Sequence, residues 1–317
     1  VRRRRCGTLP AGRAMSIVAY VFGVLAAVSN SATNVMQRAA NRAESQQLEF
    51  SFQLIKNLSR RPLWLAGIVT MLASFVFQAL GLGFGTLAAV EPLLVLELPL
   101  TLVGARIFLG SVLGRREATA IGVMTAGTIG LIGFLNPSAG QGAGIAWPTW
   151  LVAGVGTAIP VGLLYWLGRA TASPGRRAAL LGAGAGISFG LAAAFIKGMT
   201  EQFSSGGIGG ALTSWQLYAA GAAGVFAFWM YQNAINAGRL AAAQPGVTLA
   251  DPYVSIIWGA VVFHEAMRDG FWLVAAIVSA VAMSAGAVIL ARSPGMSGPL
   301  AASETGEPRP EHATEVA

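Results

Sequence analysis

The stretch GTLAAVEPLLVLELP (residues 85–99) places two carboxylates, Glu91 and Glu97, and two prolines in one of the most apolar parts of the chain. A second stretch, GRLAAAQPGVTLADP (residues 238–252), matches it without a gap at seven of fifteen positions, both prolines included. Because shared hydrophobicity alone does not explain the matched prolines, we interpret the two stretches as copies within an internal repeat.

The composition of the 317-residue chain predicts a membrane protein, since 55% of its residues are hydrophobic and only 11% are charged. Soluble chains carry roughly 25% charged residues. A helix needs about 17 to 25 apolar residues to cross the hydrocarbon core of a bilayer. We predict nine such segments, at residues 15–36, 62–82, 85–108, 117–135, 148–168, 177–199, 214–233, 237–263 and 269–291. The expected fold is therefore an all-α, polytopic helical bundle embedded in a lipid bilayer, with one membrane domain over residues 15–292.

The repeat extends beyond the two proline-containing stretches. AAVSNSATNVMQ (residues 26–37) weakly matches GAGISFGLAAAFIK (residues 184–197). Spans one to four, over residues 15–135, are thus predicted to recur in spans six to nine, over residues 177–291. The linking span, residues 148–168, makes the two copies enter the membrane from opposite sides. Inverted repeats of this kind are typical of secondary transporters, whose sites lie near the bilayer midplane between the copies.

Both ends of the chain are expected to lie outside the membrane domain. Residues 1–14 contain five arginines and precede Met15, which indicates a misassigned translation start or a disordered segment. Without these five arginines the formal net charge falls from +8 to +3, so no nucleic-acid partner is expected. The tail, residues 293–317, is polar and rich in Pro, Gly and Glu, and we predict that it is disordered.

Basic residues in the loops predict the orientation, because cytoplasmic loops carry an excess of Lys and Arg. Alternate loops hold eleven basic residues on one side and only Arg268 on the other. We therefore predict an N-terminus outside and a cytoplasmic C-terminus. The eleven residues are Arg38, Arg42, Lys56, Arg60, Arg61, Arg115, Arg116, Arg169, Arg176, Arg177 and Arg239.

Four prolines inside predicted spans are expected to break their helices. Proline lacks an N–H and displaces the carbonyl four residues before it. Freed carbonyls at membrane depth require protein partners or a water-filled cavity. We expect spans three and eight to bend around such a cavity, although a simple packing kink is the alternative. The prolines are Pro92, Pro99, Pro245 and Pro252.

Two acidic residues, Glu97 and Asp251, fall near mid-membrane, about 18 to 20 Å into their spans at a rise of roughly 1.5 Å per residue. An ionised carboxylate there costs about 2.5 to 3.5 kcal/mol, so both should face the bundle interior. We predict that they exchange a proton against a cationic substrate or hold a metal cation. The alternative is that each pairs with a hydroxyl or with a basic residue such as Lys197 or Arg106 and only fixes helix packing.

Five further polar residues complete the predicted substrate or ion site. Glu91 and Gln244 occupy the same repeat position and are expected to line opposite entrances. Asn30 and Asn34, one helical turn apart, either line the same cavity or hydrogen-bond across a helix interface. Lys197 in span six is the remaining candidate for substrate or ion binding.

Three glycines in the sixth span recur at intervals of four residues. Small residues at this spacing let two helix backbones approach closely inside a membrane. We predict that this face packs against another helix of the same chain. The glycines are Gly182, Gly186 and Gly190.

No motif in the sequence predicts an enzyme. FHEAM (residues 263–267) begins like the zinc-binding HExxH motif, but position 268 is Arg, so the second histidine is missing. We see no Walker A sequence and no convincing dinucleotide fingerprint. We therefore expect neither catalytic residues nor a cofactor, and no metal-binding motif is assigned.

The repeat, the LxxxxPLLVLELPL pattern of span three and RRPLWLAG (residues 60–67) resemble the drug/metabolite transporter superfamily. Over residues 15–291 the likeness is to bacterial EamA-like proteins and, more distantly, to NIPA-type magnesium transporters. The resemblance implies a secondary carrier of a small metabolite or drug-like solute in the bacterial cytoplasmic membrane. EamA-like carriers usually have ten spans, and nine is the number expected for the magnesium branch.

Three functions therefore remain open. The first is a proton-coupled or facilitative carrier of a small organic solute. The second is a divalent-cation (Mg²⁺) transporter, and the third is a non-transporting membrane scaffold. The expected partners are a small-molecule or ion substrate and the bilayer, and a homodimer is possible.

Overall fold

The computed structural model describes residues 11–41, 62–109, 114–140, 144–237 and 240–292. The predictions for residues 1–10 and for the tail lie outside these ranges. Residues 11–14 are helical and continue into the helix of the first span, whose apolar segment begins at Met15, so their place outside the membrane domain stays a prediction. The helices are α1 Ala11–Asn41, α2 Pro62–Phe84, α3 Leu87–Leu94, α4 Glu97–Leu109, α5 Arg115–Leu135, α6 Trp147–Ala170, α7 Pro174–Thr213, α8 Trp215–Ala237, α9 Leu240–Val262 and α10 Phe271–Ala291.

The all-α membrane fold is confirmed, since no strand occurs in the described residues and eight of their segments are long and apolar enough to cross a bilayer. Helices α3 and α4 together form one of these segments, Leu87–Phe108. The predicted span at 214–233 lies in α8, which has 23 residues but is less apolar than the other eight segments. Polar residues such as Gln216 and Gln232 lower its hydropathy. Its passage through the membrane stays a prediction.

Helix α7 extends beyond the predicted sixth span. We expected a connection over residues 200–213, but the helix continues to Thr213, with a change of direction at Gly207 (φ 60°, ψ −151°). Glycine adopts this conformation because it has no Cβ. The Thr200 and Ser204 hydroxyls donate to helix carbonyls three and four residues earlier. Polar residues that indicated a loop are therefore accommodated within the helix.

The predicted break in the third span is present. Helix α3 ends at Leu94 and α4 begins at Glu97. Pro92 lies inside α3, and Pro99 lies in the first turn of α4. Between them the Val95 carbonyl, which Pro99 deprives of its usual partner, accepts instead from Leu98 N at 3.3 Å. The backbone thus crosses the break through tighter three-residue turns.

Helix α9 is uninterrupted across Pro245 and Pro252, which corrects the expectation of breaks at these two residues. The difference lies in the packing of α9 on α7. A Cβ at Gly186 of α7 would lie 2.5 Å from the Val247 carbonyl oxygen of α9. Such close contact leaves α9 little room to depart from its helical path between the prolines.

The glycine face of α7 packs against α9, as predicted from its spacing. Each of its three glycines lies against α9 backbone, so an added Cβ would meet a carbonyl oxygen there. Gly246 of α9 makes the reciprocal contact, with Ala179 and Ala183 of α7. This interface joins spans six and eight within the second half of the chain.

The two halves of the bundle have the same packing order. Helix α1 packs against α2 and against the α3–α4 pair, while α7 packs against α8 and α9. The last helices of the two halves, α5 and α10, pack against each other. This equivalence agrees with the predicted repeat, and the opposite orientation of the halves stays a prediction.

Candidate functional site

Two acidic side chains, Glu91 and Glu97, each lie near a third, Asp251, in the bundle interior. Glu91 comes from α3, Glu97 from the first residue of α4, and Asp251 from α9. Asp251 is close enough to both glutamates for their charges to interact with it. Both halves of the chain therefore contribute to one group, which we call the three-acid site. Like charges at such separations disfavour simultaneous ionisation, so the site favours an arriving proton or cation.

Glu97 is held by the first helix. The side-chain amide of Asn30 donates to Glu97 Oε2 across 2.8 Å. Glu97 and Asp251 lie deep in the protein yet keep part of their accessible surface. The Asn30 contact crosses a helix interface, which is one of the two roles considered for Asn30, and its place in a cavity stays a prediction.

Glu91 is almost completely buried, with 1% of its surface exposed. Gln78 Nε2 donates to Glu91 Oε1 across 2.9 Å. The other oxygen, Oε2, has no hydrogen-bond partner among the described residues. A buried polar atom without a partner costs about 1–3 kcal/mol. Glu91 thus retains unused acceptor capacity inside the bundle.

The second half carries a polar pair in the same repeat position. Tyr231 donates its hydroxyl to Gln244 Oε1 across 3.0 Å, and the two residues are 13 apart in the chain, as Gln78 and Glu91 are. The shift of 153 residues that places Gly85 on Gly238 also places Gln78 on Tyr231 and Glu91 on Gln244.

These two pairs lie between spans two and three and between spans seven and eight. Equivalent positions in the two halves therefore make equivalent contacts. The first half places a buried acid there and the second half a neutral amide.

Asp251 has only a weak described hydrogen bond, from Ser255 Oγ at 3.4 Å one helical turn later. Within the described ranges no Lys or Arg forms an ion pair with the three acids. Arg106, which we considered as a partner, is exposed on the surface of α4. The alternative role of these acids in helix packing is therefore supported by their contacts with hydroxyl and amide groups. Among the described residues, no basic side chain neutralises them.

Lys197 does not neutralise the three-acid site. Its ammonium donates to the carbonyl oxygens of Gly85 at 2.8 Å and Leu82 at 3.3 Å. It also lies 4.0 Å from Glu265 Oε1. Lys197 was predicted to bind substrate or ion, and its described contacts instead join α7 to the turn between α2 and α3.

Glu265 is the buried acid that the sequence analysis missed. It accepts from the backbone N–H groups of Leu87 at 2.6 Å and Ala88 at 3.0 Å, at the N-terminus of α3. Burial raises the pKa of the Glu265 carboxyl, while Lys197 and the two N–H groups act to lower it. The available signal was an acid two residues after the apolar run that ends in VVF (residues 261–263), a stretch that we interpreted only as part of a zinc motif.

Asn34 and a cavity in the second half of the chain lie apart from these contacts. Asn34 is half-buried and makes no hydrogen bond with the described residues. A cavity of about 450 Å³ opens between α6, α7 and α8, with mostly apolar walls that include Thr157, Tyr165, Ser188 and Trp229. None of the predicted site residues lines this cavity.

The oxygen donors of the site do not form a ready metal cage. Within the described residues, no group of three or more His, Cys, Asp or Glu side chains has an arrangement that could hold a metal ion. The side chains that contact the three acids supply amides and a hydroxyl. This chemistry suits a proton or a partly hydrated or organic cation better than a fully dehydrated metal.

The described helices and interior acids define a polytopic all-α membrane protein. The chain is 29% identical over 286 residues to an uncharacterized protein of Corynebacterium glutamicum, an alignment that covers 85% of this chain and 95% of that protein. No protein-family model and no solved structure matches the sequence.

Proposed function

We propose that the protein is a secondary transporter that moves a small solute across the membrane and binds it at the three-acid site. The observation that carries the proposal is the proximity of Asp251 to Glu91 and to Glu97 inside the bundle, without a basic partner among the described residues. Ionisable residues at membrane depth are expensive and usually mark substrate or ion pathways. The matched packing of the two halves supports the alternating exposure of such a site.

The chemistry of the site supports coupling to protons. A carboxyl group in the bundle interior is tolerated when a proton or a bound cation neutralises it. Binding of a cationic solute would therefore release a proton, and return of the proton would release the solute. Asn30 holds the Glu97 carboxyl in place from α1. The break at residues 95–96 divides the third span into two helices, and a conformational change between them would move Glu91 relative to Glu97.

A divalent cation is the second candidate substrate. The site offers carboxylate and amide oxygens, the donors that Mg²⁺ prefers. Mg²⁺ also keeps several of its own waters, so it needs few direct protein ligands. The absence of a ready three-ligand group in the described residues weighs against tight, fully dehydrated binding.

The test is transport and ligand binding by purified protein in liposomes. A panel of amino acids, organic cations, phosphorylated metabolites and Mg²⁺ is screened by thermal shift, since a ligand that binds the folded state raises the melting temperature. Stabilising ligands are then tested for uptake driven by a pH gradient. The variants Glu97→Gln and Asp251→Asn should abolish uptake, and Asp269→Asn, an exposed acid, serves as control.

The outcomes separate the candidate functions. An organic solute that is transported by the wild type and by Asp269→Asn, but by neither site variant, supports the metabolite carrier. The same pattern with Mg²⁺ alone supports the cation transporter. Full uptake by both site variants contradicts the three-acid site, and absence of all uptake across the panel favours the scaffold.

A further inference from the structure

Glu265 and Lys197 hold the N-terminal end of α3 from two sides. Glu265 accepts the first two N–H groups of α3, where the helix dipole also favours a negative charge. Lys197 donates to two carbonyls of the turn that precedes α3. We call Lys197, Glu265 and these backbone partners the latch. The latch joins α2, α3, α7 and the loop 263–270 at one end of the bundle.

The loop that carries Glu265 is itself fixed. Glu265 N donates to the Gly259 carbonyl at the end of α9, across 3.0 Å. Ser138 N donates to Ala266 O, and Arg268 N donates to Leu135 O, across 2.9 and 3.0 Å. The loop is therefore anchored to α5 and α9. By contrast, α3 is a helix of eight residues that ends at a break, and the latch holds its N-terminal end.

The latch and the three-acid site are adjacent along α3. Glu91 follows Ala88 by less than one helical turn, so any displacement of the α3 N-terminus moves Glu91 as well. On α9, Ser255 lies one turn from Asp251 toward the latch end and is completely buried. The Lys197 ammonium also lies 5.2 Å from the centre of the Phe263 ring. Ser255, Phe263 and Glu265 are thus all buried at this end of the bundle.

From this geometry we infer that the latch is the gate that closes the three-acid site toward the end of the bundle carrying loop 263–270. The inference rests on the proposed transport function. Opening requires Glu265 to release the α3 N-terminus and Lys197 to release the α2–α3 turn. The two side chains are positioning residues, because they act on α3 and have no described contact with the three acids.

The charge balance of the latch suits a gate. In the closed arrangement the buried charges of Lys197 and Glu265 have partners, and removal of one partner leaves the other charge buried and uncompensated. In the open arrangement both charges are hydrated again. Closed and open arrangements can therefore have similar free energies, which a carrier needs in order to alternate. Substitution of either residue should favour the open arrangement.

The test measures access to the site from each side of the membrane. Ser255→Cys is introduced into a Cys6→Ser background, which removes the single natural cysteine. A membrane-impermeant maleimide is applied to right-side-out and to inside-out vesicles. Glu265→Gln and Lys197→Met should each raise the labelling rate at position 255 about tenfold or more, from one side only. Asp269→Asn, in the same loop but exposed, should leave the rate unchanged.

Each outcome decides the inference. Faster labelling from one side supports the gate, whereas an unchanged rate in variants that purify as folded protein overturns it. Faster labelling from both sides also overturns it, because that result indicates general loosening. Should Glu265→Gln fail to fold, Lys197→Arg provides the comparison, since a bulkier cation disturbs the carbonyl contacts while it keeps the charge. Labelling requires no transported solute, so failure of the gate is distinguishable from failure of the transport proposal.

Discussion

The side-chain amide of Asn30 donates a hydrogen bond of 2.8 Å to Glu97 and thereby ties α1 to the first residue of α4. Glu97 stands where the helix restarts after its break, and the N-terminal end of a helix favours a negative charge. This contact thus holds an acid of the proposed site in place just after the break.

Loss of this contact should weaken solute binding. Asn30→Ala removes the donor that orients Glu97, and hydrogen bonds to charged groups contribute about 1.5–3 kcal/mol. We expect apparent affinity in the liposome assay to fall about tenfold or more. Asn34→Ala, one turn away and without a described hydrogen bond, is the matched control and should change affinity less than about twofold. Equal effects of the two substitutions would contradict the role assigned to Asn30.

The Gln78–Glu91 pair should contribute to stability. Gln78→Leu leaves the buried Glu91 carboxyl without its described donor, which should cost about 1–3 kcal/mol. Thermal unfolding in detergent should show a lower Tm. The double variant Gln78→Leu/Glu91→Leu should recover most of the loss, because no unpaired carboxyl remains.

The equivalent position in the second half provides the comparison. Tyr231→Phe removes the hydroxyl that Gln244 accepts, but Gln244 is neutral and only half-buried. The loss should therefore be smaller than that of Gln78→Leu. The double variant Gln78→Leu/Glu91→Leu could also prove no more stable than Gln78→Leu alone. That result would show that the unpaired Glu91 carboxyl does not cause the loss of stability.

The interface between α7 and α9 should not tolerate a methyl group. Gly186→Ala places a Cβ 2.5 Å from the Val247 carbonyl oxygen, and overpacking of this kind costs about 1–3 kcal/mol. Gly221→Ala in α8 is the control, because no atom lies within 4 Å of its added Cβ. We expect Tm to fall for the first variant and to hold or rise for the second. Equal Tm values would refute the close packing described here.

The latch should hold more tightly as the pH falls. Burial raises the pKa of the Glu265 carboxyl in the closed arrangement above that of an ordinary glutamate in water. Because the closed arrangement then binds a proton more tightly than the open one, acidification favours the closed arrangement. Labelling of Ser255→Cys should therefore slow on acidification relative to the same protein carrying Glu265→Gln. The ratio of the two labelling rates cancels the pH dependence of the thiol itself.

Other titratable groups lie near the latch. Lys197 and Glu201 of α7 interact electrostatically with Glu265, and His264 precedes it in the loop. Glu201→Gln and His264→Asn therefore accompany the measurement. Loss of the pH response in Glu265→Gln alone assigns it to Glu265, whereas loss in His264→Asn alone assigns it elsewhere and contradicts the prediction.

Much of the site followed from local properties of the sequence. Depth along a span located Glu97 and Asp251, and the matched prolines located the break in the third span. The repeat alignment paired Glu91 with Gln244, and both proved to hold equivalent polar contacts. The partners of these residues were not predictable, because the distance between contacting segments depends on how the helices pack.

By itself, the sequence determined an all-α membrane bundle, the approximate limits of its spans and the glycine face of α7, since length, hydropathy and small-residue spacing act within single segments. The tertiary structure alone decided that identical proline spacings give a break in the third span and a continuous helix in α9. It also decided that Lys197 meets Glu265, 68 residues away in the chain, and that Glu265 holds the start of α3. These features depend on which distant backbone lies within hydrogen-bond or van der Waals distance, and packing of the whole bundle sets that distance.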